Sequence, residues 1–171
     1  MNTDTNADKL VIIGAGGHGK VLAATALAAG RWAQIVFLDD VPRRRRHRTR
    51  PARFGRHTAF GHAPDSRRIP GRRGRGRQRR AAKAVRYRLK TLGFTLPDIV
   101  HPSAVVAPYA ALGGGCAVFA QAVIQPGSRI GEGCIVNTAA TVDHDCTLGA
   151  FVHISRERIW RAARRSAREA G

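Results

Sequence analysis

The run Asp143-His144-Asp145-Cys146 sets an imidazole between two carboxylates. Imidazole titrates near neutral pH, and an adjacent carboxylate can fix its tautomer and stabilise the imidazolium. Such a group is able to take a proton from an amine or hydroxyl as that nucleophile attacks an acyl carbon. On residue types alone, a solvent-facing polar histidine at a turn is an equal reading. Cys146 stands beside it, but direct acyl transfer needs no covalent enzyme intermediate, so its thiol need not be a nucleophile. A second cluster lies earlier in the chain. Gly14, Gly16 and Gly19 form G-x-G-x-x-G, interleaved with His18 and followed by Lys20, and Asp39-Asp40 come later. Glycines in such a loop let backbone approach a phosphate, and the helix that follows offers unpaired N–H groups and a positive dipole end. A tight strand-to-helix turn holding no ligand is the plainer alternative. His18 reads as a polar contact to a ligand, and Lys20 as either a phosphate neutraliser or a solvated first-turn residue.

These residues need elements to hold them. Leu10–Ile13 is a short aliphatic run, Val21–Ala29 reads as a helix ending at Gly30, and Ile35–Leu38 is a second apolar run closed by Asp39-Asp40. Strand, glycine turn, helix, strand and acidic pair make the front half of a nucleotide-binding α/β unit, in which the acid can accept a ribose hydroxyl. The later residues sit on a different scaffold. Val100, Val106, Leu112, Val118, Ile124, Ile130, Val136, Val142, Leu148 and Ile154 are ten aliphatic positions spaced six apart. Two residues before all but the first lie Ala104, Ala110, Cys116, Ala122, Ser128, Cys134, Ala140, Cys146 and Val152, and Gly113, Gly131 and Gly149 are eighteen apart. Neither a 3.6-residue nor a 2-residue period holds a register of six. A parallel β-helix does: three short strands make a triangular coil of about eighteen residues, and every sixth side chain points at the axis. Small residues are expected at the corners, because stacked coils lie about 4.8 Å apart.

Charge is unevenly spread. The formal net charge is +19, and 18 of 26 arginines fall between Arg43 and Arg88. Residues 42–90 carry 18 Arg and 2 Lys against Asp65, so +19; residues 156–171 carry 6 Arg against Glu157 and Glu169, so +4; the remainder is −4. The patterned parts thus belong to a mildly acidic protein. From Pro42 to Arg80 there is no apolar periodicity, and such a composition predicts disorder. Three readings stay open: a polyanion-binding arm for nucleic acid through residues 43–80, a solvated linker, or an out-of-frame translation of the rest of the α/β unit. The last is favoured, because a one-base shift in a GC-rich gene turns ordinary codons largely into Arg, Ala, Gly and Pro codons, and pattern returns abruptly near Tyr87. The end of the chain repeats the event: register holds through Ser155, and positions 160 and 166 are Trp160 and Ser166 instead of aliphatic residues.

The expected organisation is an incomplete Rossmann-like α/β unit over 1–41, an Arg-rich disordered or frame-shifted segment over 42–85, a connector over 86–98, a left-handed β-helix over 99–155, and a basic tail over 156–171 of helix-forming composition. Cys116, Cys134 and Cys146 occupy small-residue positions, and their spacing matches no zinc pattern, so no metal site is expected. Free thiols, the absence of a basic signal-type leader in the first ten residues and the lack of a membrane-length apolar run point to the cytoplasm.

Four pieces, VIIGAGGHGKV (Val11–Val21), FLDD (Phe37–Asp40), LGFTLPDIVHPSAVV (Leu92–Val106) and IVNTAATVDHDCTLGAFVHIS (Ile135–Ser155), resemble the bacterial sugar O-acyltransferases. That family includes sialic acid O-acetyltransferases and UDP-amino-sugar N-acetyltransferases. The resemblance covers about half the chain. It implies a Rossmann-like domain for the sugar nucleotide, a left-handed β-helix, a homotrimer, and acetyl-CoA held as co-substrate between neighbouring β-helices. It implies His144 as catalytic base supported by Asp145 or Asp143, and His153 near the coenzyme. Gly14, Gly16, His18, Gly19 and Asp39 match positions facing the sugar nucleotide, while Asn137 reads as a structural stacking amide. The expected activity is acetyl transfer to a sugar amine or hydroxyl. It is expected to be impaired, because coils after Ser155 are missing and position 162, where an oxyanion-stabilising amide is expected, is Ala162. The rivals are a polyanion-binding protein and a noncatalytic trimeric scaffold.

Overall fold

The computed structural model describes residues 9–39, 57–60 and 74–161. Its first unit is a parallel sheet of β1 (Lys9–Ile13), β2 (Gln34–Leu38) and β3 (His57–Phe60), in the order β2-β1-β3. Between β1 and β2 runs α1 (Gly17–Ala29), which ends where Gly30 takes the left-handed conformation at φ 64 and its N–H reaches the Leu27 carbonyl, the usual glycine stop of a helix. Leu10 and Ile12 on β1 and Leu22 and Ala26 on α1 are buried, which ties the strand to the helix. With neighbours on both sides of β1, the chain order reverses there, and a doubly wound sheet opens its ligand crevice at the carboxyl ends of the strands at such a point. The glycine loop follows β1 at that end.

The arginine-rich segment holds more structure than its composition predicts. β3 lies inside the stretch expected to lack it, pairing Leu10 with His57 and Ile13 with Phe60. The free edge of a buried hydrophobic strand gives even a short, weakly patterned segment a hydrogen-bonding template. A helix, α2 (Gly74–Thr91), then crosses the boundary placed at residue 85 and takes in part of the supposed connector. Arginine, lysine, glutamine and alanine are good helix formers without any apolar stripe, so a search for hydrophobic periodicity passes over them. The other residues of 42–73 lie outside the described part, and with them the bulk of the proposed polyanion arm.

Eleven two-residue strands follow, stacked on three faces. One face holds β4 (Ile99–Val100), β7 (Ala117–Val118), β10 (Ile135–Val136) and β13 (His153–Ile154). A second holds β5 (Val105–Val106), β8 (Val123–Ile124), β11 (Thr141–Val142) and β14 (Ile159–Trp160). The third holds β6 (Ala111–Leu112), β9 (Arg129–Ile130) and β12 (Thr147–Leu148). Every pairing is parallel with a register of eighteen, as in the left-handed β-helix expected. Val118, Ile124, Ile130, Val136, Val142, Leu148 and Ile154 are buried along the axis with Cys116, Ala122, Ser128, Cys134, Ala140 and Cys146 at the corners. The repeat also runs past Ser155. Trp160 takes the axial place opposite Val142, and Asp143 donates its N–H to the Trp160 carbonyl at 2.8 Å. Residues 159–160 are therefore strand and not helix, because an indole can stand at an axial position of a last coil that nothing described covers. Residues 162–171 lie outside the described part.

The corners explain which residues the repeat demands. Positions 109, 115, 121, 127, 133, 139, 145, 151 and 157 all have φ between 54° and 72°, and six of the nine are not glycine. Position 113 needs glycine for another reason: a Cβ there would stand 2.7 Å from the Glu132 nitrogen in the next coil. Phe119, Ile99 and Ala117 join Leu10, Ile12, Leu22 and Trp32 in one buried cluster, so the α/β unit and the β-helix share a core. Among the described residues, no helix is long and apolar enough to cross a membrane.

Candidate active site

His144 stands on the corner between β11 and β12, where the side chain is 68% exposed. Its Nδ1 lies 2.9 Å from Asp145 Oδ2. A carboxylate accepts only from an N–H, so the neutral ring carries its proton on Nδ1 and turns the basic lone pair of Nε2 outward. The hydrogen bond to Asp145 and the negative charges of Asp143 and Asp145 hold the imidazole above its ordinary value. The corner that carries the pair is well anchored. Asp143 Oδ1 accepts the His144 N–H at 2.9 Å. The buried Ser128, one coil beneath, donates its hydroxyl to the Asp143 carbonyl at 2.7 Å and accepts the Cys146 N–H at 3.3 Å. Asp145 donates its N–H to the Pro126 carbonyl at 3.0 Å. Ser128 and Gly127 carry no catalytic signature of their own. Only their offset of eighteen from Cys146 and Asp145 could have pointed to them.

The three thiols are built into the solenoid. Cys116 Sγ donates to the Gly131 carbonyl at 3.3 Å and Cys134 Sγ to the Gly149 carbonyl at 3.1 Å. Burial pushes the Cys116 thiol up to about 12 and raises Cys146 as well. Thiolate is the nucleophilic form, so these groups are poorly suited to attack.

A second group of polar residues gathers where the glycine loop meets the β4-β7-β10-β13 face. The His18 ring lies edge-on to Phe119 at 5.2 Å and tilted to His153 at 6.2 Å. His153 Nε2 is 3.2 Å from Asn137 Nδ2, while Asn137 Oδ1 accepts the Thr138 N–H at 2.8 Å. Asn137 thus holds both its own turn and a histidine. His18 and His153, read separately from the sequence, are neighbours, whereas His144 occupies a different corner of the same coil stack. Gly14, at φ 97, donates its N–H to the Leu38 carbonyl at 2.6 Å. A Cβ on Gly19 would collide with the Gly14 carbonyl oxygen. Gly16 caps α1. Asp39 Oδ2 accepts the Ala15 N–H at 2.7 Å, so this carboxylate, expected to face a ribose, also fastens the loop to the end of β2. Asp40 lies outside the described residues.

α2 is fixed to the solenoid by a contact the sequence does not advertise. Arg86, 6% exposed, sets its Nε 3.2 Å from Glu132 Oε2 and donates from Nη2 to the Gly114 carbonyl at 3.0 Å. Lys90 Nζ approaches the same Glu132 oxygen at 3.2 Å.

Residues 9–56 match the PglD N-terminal domain family. The acetyltransferase domain of PglB from Neisseria gonorrhoeae FA1090, solved with acetyl coenzyme A, is similar at 40% identity and a TM-score of 0.71, over 87% of this chain and 71% of that one. Perosamine N-acetyltransferase from Caulobacter crescentus, solved with CoA and GDP-perosamine as a histidine-to-asparagine mutant, is similar at 30% identity and a TM-score of 0.67, over 85% and 67%. No curated protein sequence matches the chain.

Proposed function

This chain belongs to the bacterial sugar acetyltransferases built on a hexapeptide-repeat β-helix, and on that footing we propose that it moves the acetyl group of acetyl-CoA to the amine of a nucleotide-linked amino sugar, with His144 as general base. Acyltransfer and the use of acetyl-CoA follow from the family. An amine as acceptor, with a nucleotide on the sugar, is supported by the relative solved with GDP-perosamine. The observation that carries the role of His144 is its 2.9 Å contact with Asp145 on an exposed corner.

The step needs only groups already named. The amine nitrogen bonds to the thioester carbonyl carbon, and His144 Nε2 takes the proton that the nitrogen sheds. The carbon–sulfur bond then breaks, and the proton passes to the departing thiolate. Asp145 keeps the ring oriented and offsets the positive charge it gains. The sugar nucleotide is assigned to the glycine loop with Gly14, Gly16, His18, Gly19 and Asp39, and the coenzyme to the side of His153. A homotrimer accords with the apolar side chains Val105 and Ile159, which face outward and exposed from the second sheet. Turnover is expected to be weak, because position 162, eighteen residues after His144 in the sequence, is alanine and carries no side-chain amide; that residue lies outside the described part.

Release of CoA thiol in the presence of acetyl-CoA and a nucleotide-linked amino sugar tests the reading, with light scattering on the same samples for the assembly. His144→Ala should lower kcat about 10²- to 10⁴-fold, the usual reach of a general base, at unchanged molecular mass. Wild-type turnover in that variant sinks the assignment. No detectable turnover in the parent chain sinks the activity itself.

A further inference from the structure

Glycine appears in the left-handed corner positions for a reason other than φ. Tyr109, Gln121, Ala139, Asp145, Phe151 and Glu157 adopt the same conformation with side chains. The three glycines of that series are the positions on which another side chain rests. A Cβ on Gly115 would strike the Arg86 guanidinium, one on Gly133 would stand 2.8 Å from Phe151 Cε1, and one on Gly127 would collide with Asp145 Oδ1. The last overlap falls under the His144–Asp145 pair. Gly127 therefore provides the notch that receives the carboxylate, and its neighbour Ser128 pins both ends of the turn above by the two hydrogen bonds already described.

We propose that Gly127 and Ser128 are positioning residues, which seat the Asp145 carboxylate and the Asp143–Cys146 backbone so that His144 is held by its Nδ1 with Nε2 facing the acceptor. The proposal rests on His144 being the base. The charged groups of that turn are Asp143, Asp145 and His144 itself; the coil beneath presents uncharged Gln125, Pro126, Gly127 and Ser128, followed by Arg129, and on the other side Arg161 follows Trp160, whose carbonyl accepts the Asp143 N–H.

The test follows the His144 ring by NMR across a pH titration of the full chain, with the resonance assigned by its loss in His144→Ala, alongside acetyl-transfer kinetics. Gly127→Ala should fold, since Ala139 sits in the same corner conformation. With the carboxylate pushed off its seat, the His144 midpoint should fall toward that of Asp145→Asn, and kcat should drop roughly ten- to a hundredfold with KM little changed. In Gly127→Ala/Asp145→Asn the midpoint should fall no further than in Asp145→Asn alone. A folded Gly127→Ala whose His144 midpoint stays at the parent value overturns the proposal. If Gly127→Ala does not fold, Ser128→Ala decides: alanine is native at the equivalent Ala122 and Ala140, so a parent midpoint and parent kcat there overturn it equally. Full transfer activity in His144→Ala would instead defeat the reading of the base, while the titration still reports on the seat.

Discussion

At the scale of single residues, His144 is set by its near neighbours and not by burial. Its ring is exposed, and the upward shift comes first from the hydrogen bond to Asp145 and then from the two carboxylate charges. A general base works only when neutral, so a raised value moves the acid limb of the pH–kcat/KM profile upward from that of an ordinary histidine. Asp145→Asn removes the charge and replaces an oxygen that can only accept with an amide that can accept or donate, so Nδ1 is no longer obliged to carry the proton. The limb should then move to lower pH while the plateau rate falls, because the ring loses its fixed tautomer. A pH–rate profile of that variant checks the sign: a limb that stays put, or moves up, contradicts the assigned partner. Asp143-His144-Asp145 was legible as a chemical possibility in the sequence. Its choice of Asp145 over Asp143 for the ring was not, since both are adjacent and only the corner conformation at φ 54 turns Asp145 toward Nδ1.

At the scale of elements, α2 is joined to the solenoid by the Arg86–Glu132–Lys90 contact. Burial alone pushes Glu132 upward, but the Lys90 and Arg86 interactions outweigh it, and the carboxyl ends below its ordinary value. A carboxyl depressed in the folded state adds stability that is full above its unfolded value near 4.3. That stability is lost as pH falls through the folded value. Thermal melts of the parent chain should therefore lose stability through this window, and Glu132→Gln should show a shallower dependence there. Equal slopes remove the contact from the account. Arg86→Ala should cost about 2 kcal/mol at neutral pH, because it removes the charge-assisted hydrogen bonds to Glu132 and to the Gly114 carbonyl, which keep Lys90 and the Gly133 N–H as partners; a urea titration measures it. Helix α2 escaped the sequence reading because its anchor is a single arginine in a crowd of them. Which arginine is buried depends on what the solenoid presents opposite, and composition carries no record of that.

At the scale of the whole molecule, the α/β unit and the β-helix are joined by a common core and not by a tether. Phe119 is 1% exposed in the cluster that includes Leu10, Leu22 and Ile99, and its ring also supports His18. Phe119→Ala should therefore cost about 3–5 kcal/mol. It should also split denaturation into separate steps for the two units if their cooperation depends on this contact. A variant with the parent's single transition and midpoint contradicts the shared core. The same packing brings His18, in the first turn of α1, beside His153 on β13, residues 135 apart in sequence.

The solenoid was determined by the sequence itself, because a period of six is a one-dimensional signal: each aliphatic residue meets its own repeat eighteen residues away, so local spacing and tertiary contact are the same fact. The strand–glycine–helix–strand unit was legible for a similar reason, since its turn chemistry is local. Tertiary structure decided what depends on a surface contributed from elsewhere. β3 forms on an edge offered by β1, α2 is held through Arg86 to Glu132, and Trp160 pairs in register with Val142. Gly127 is glycine because of a carboxylate one coil above it. In each case the residue type alone permits several outcomes, and the neighbour across space, through burial, hydrogen bonding or plain exclusion of volume, selects one.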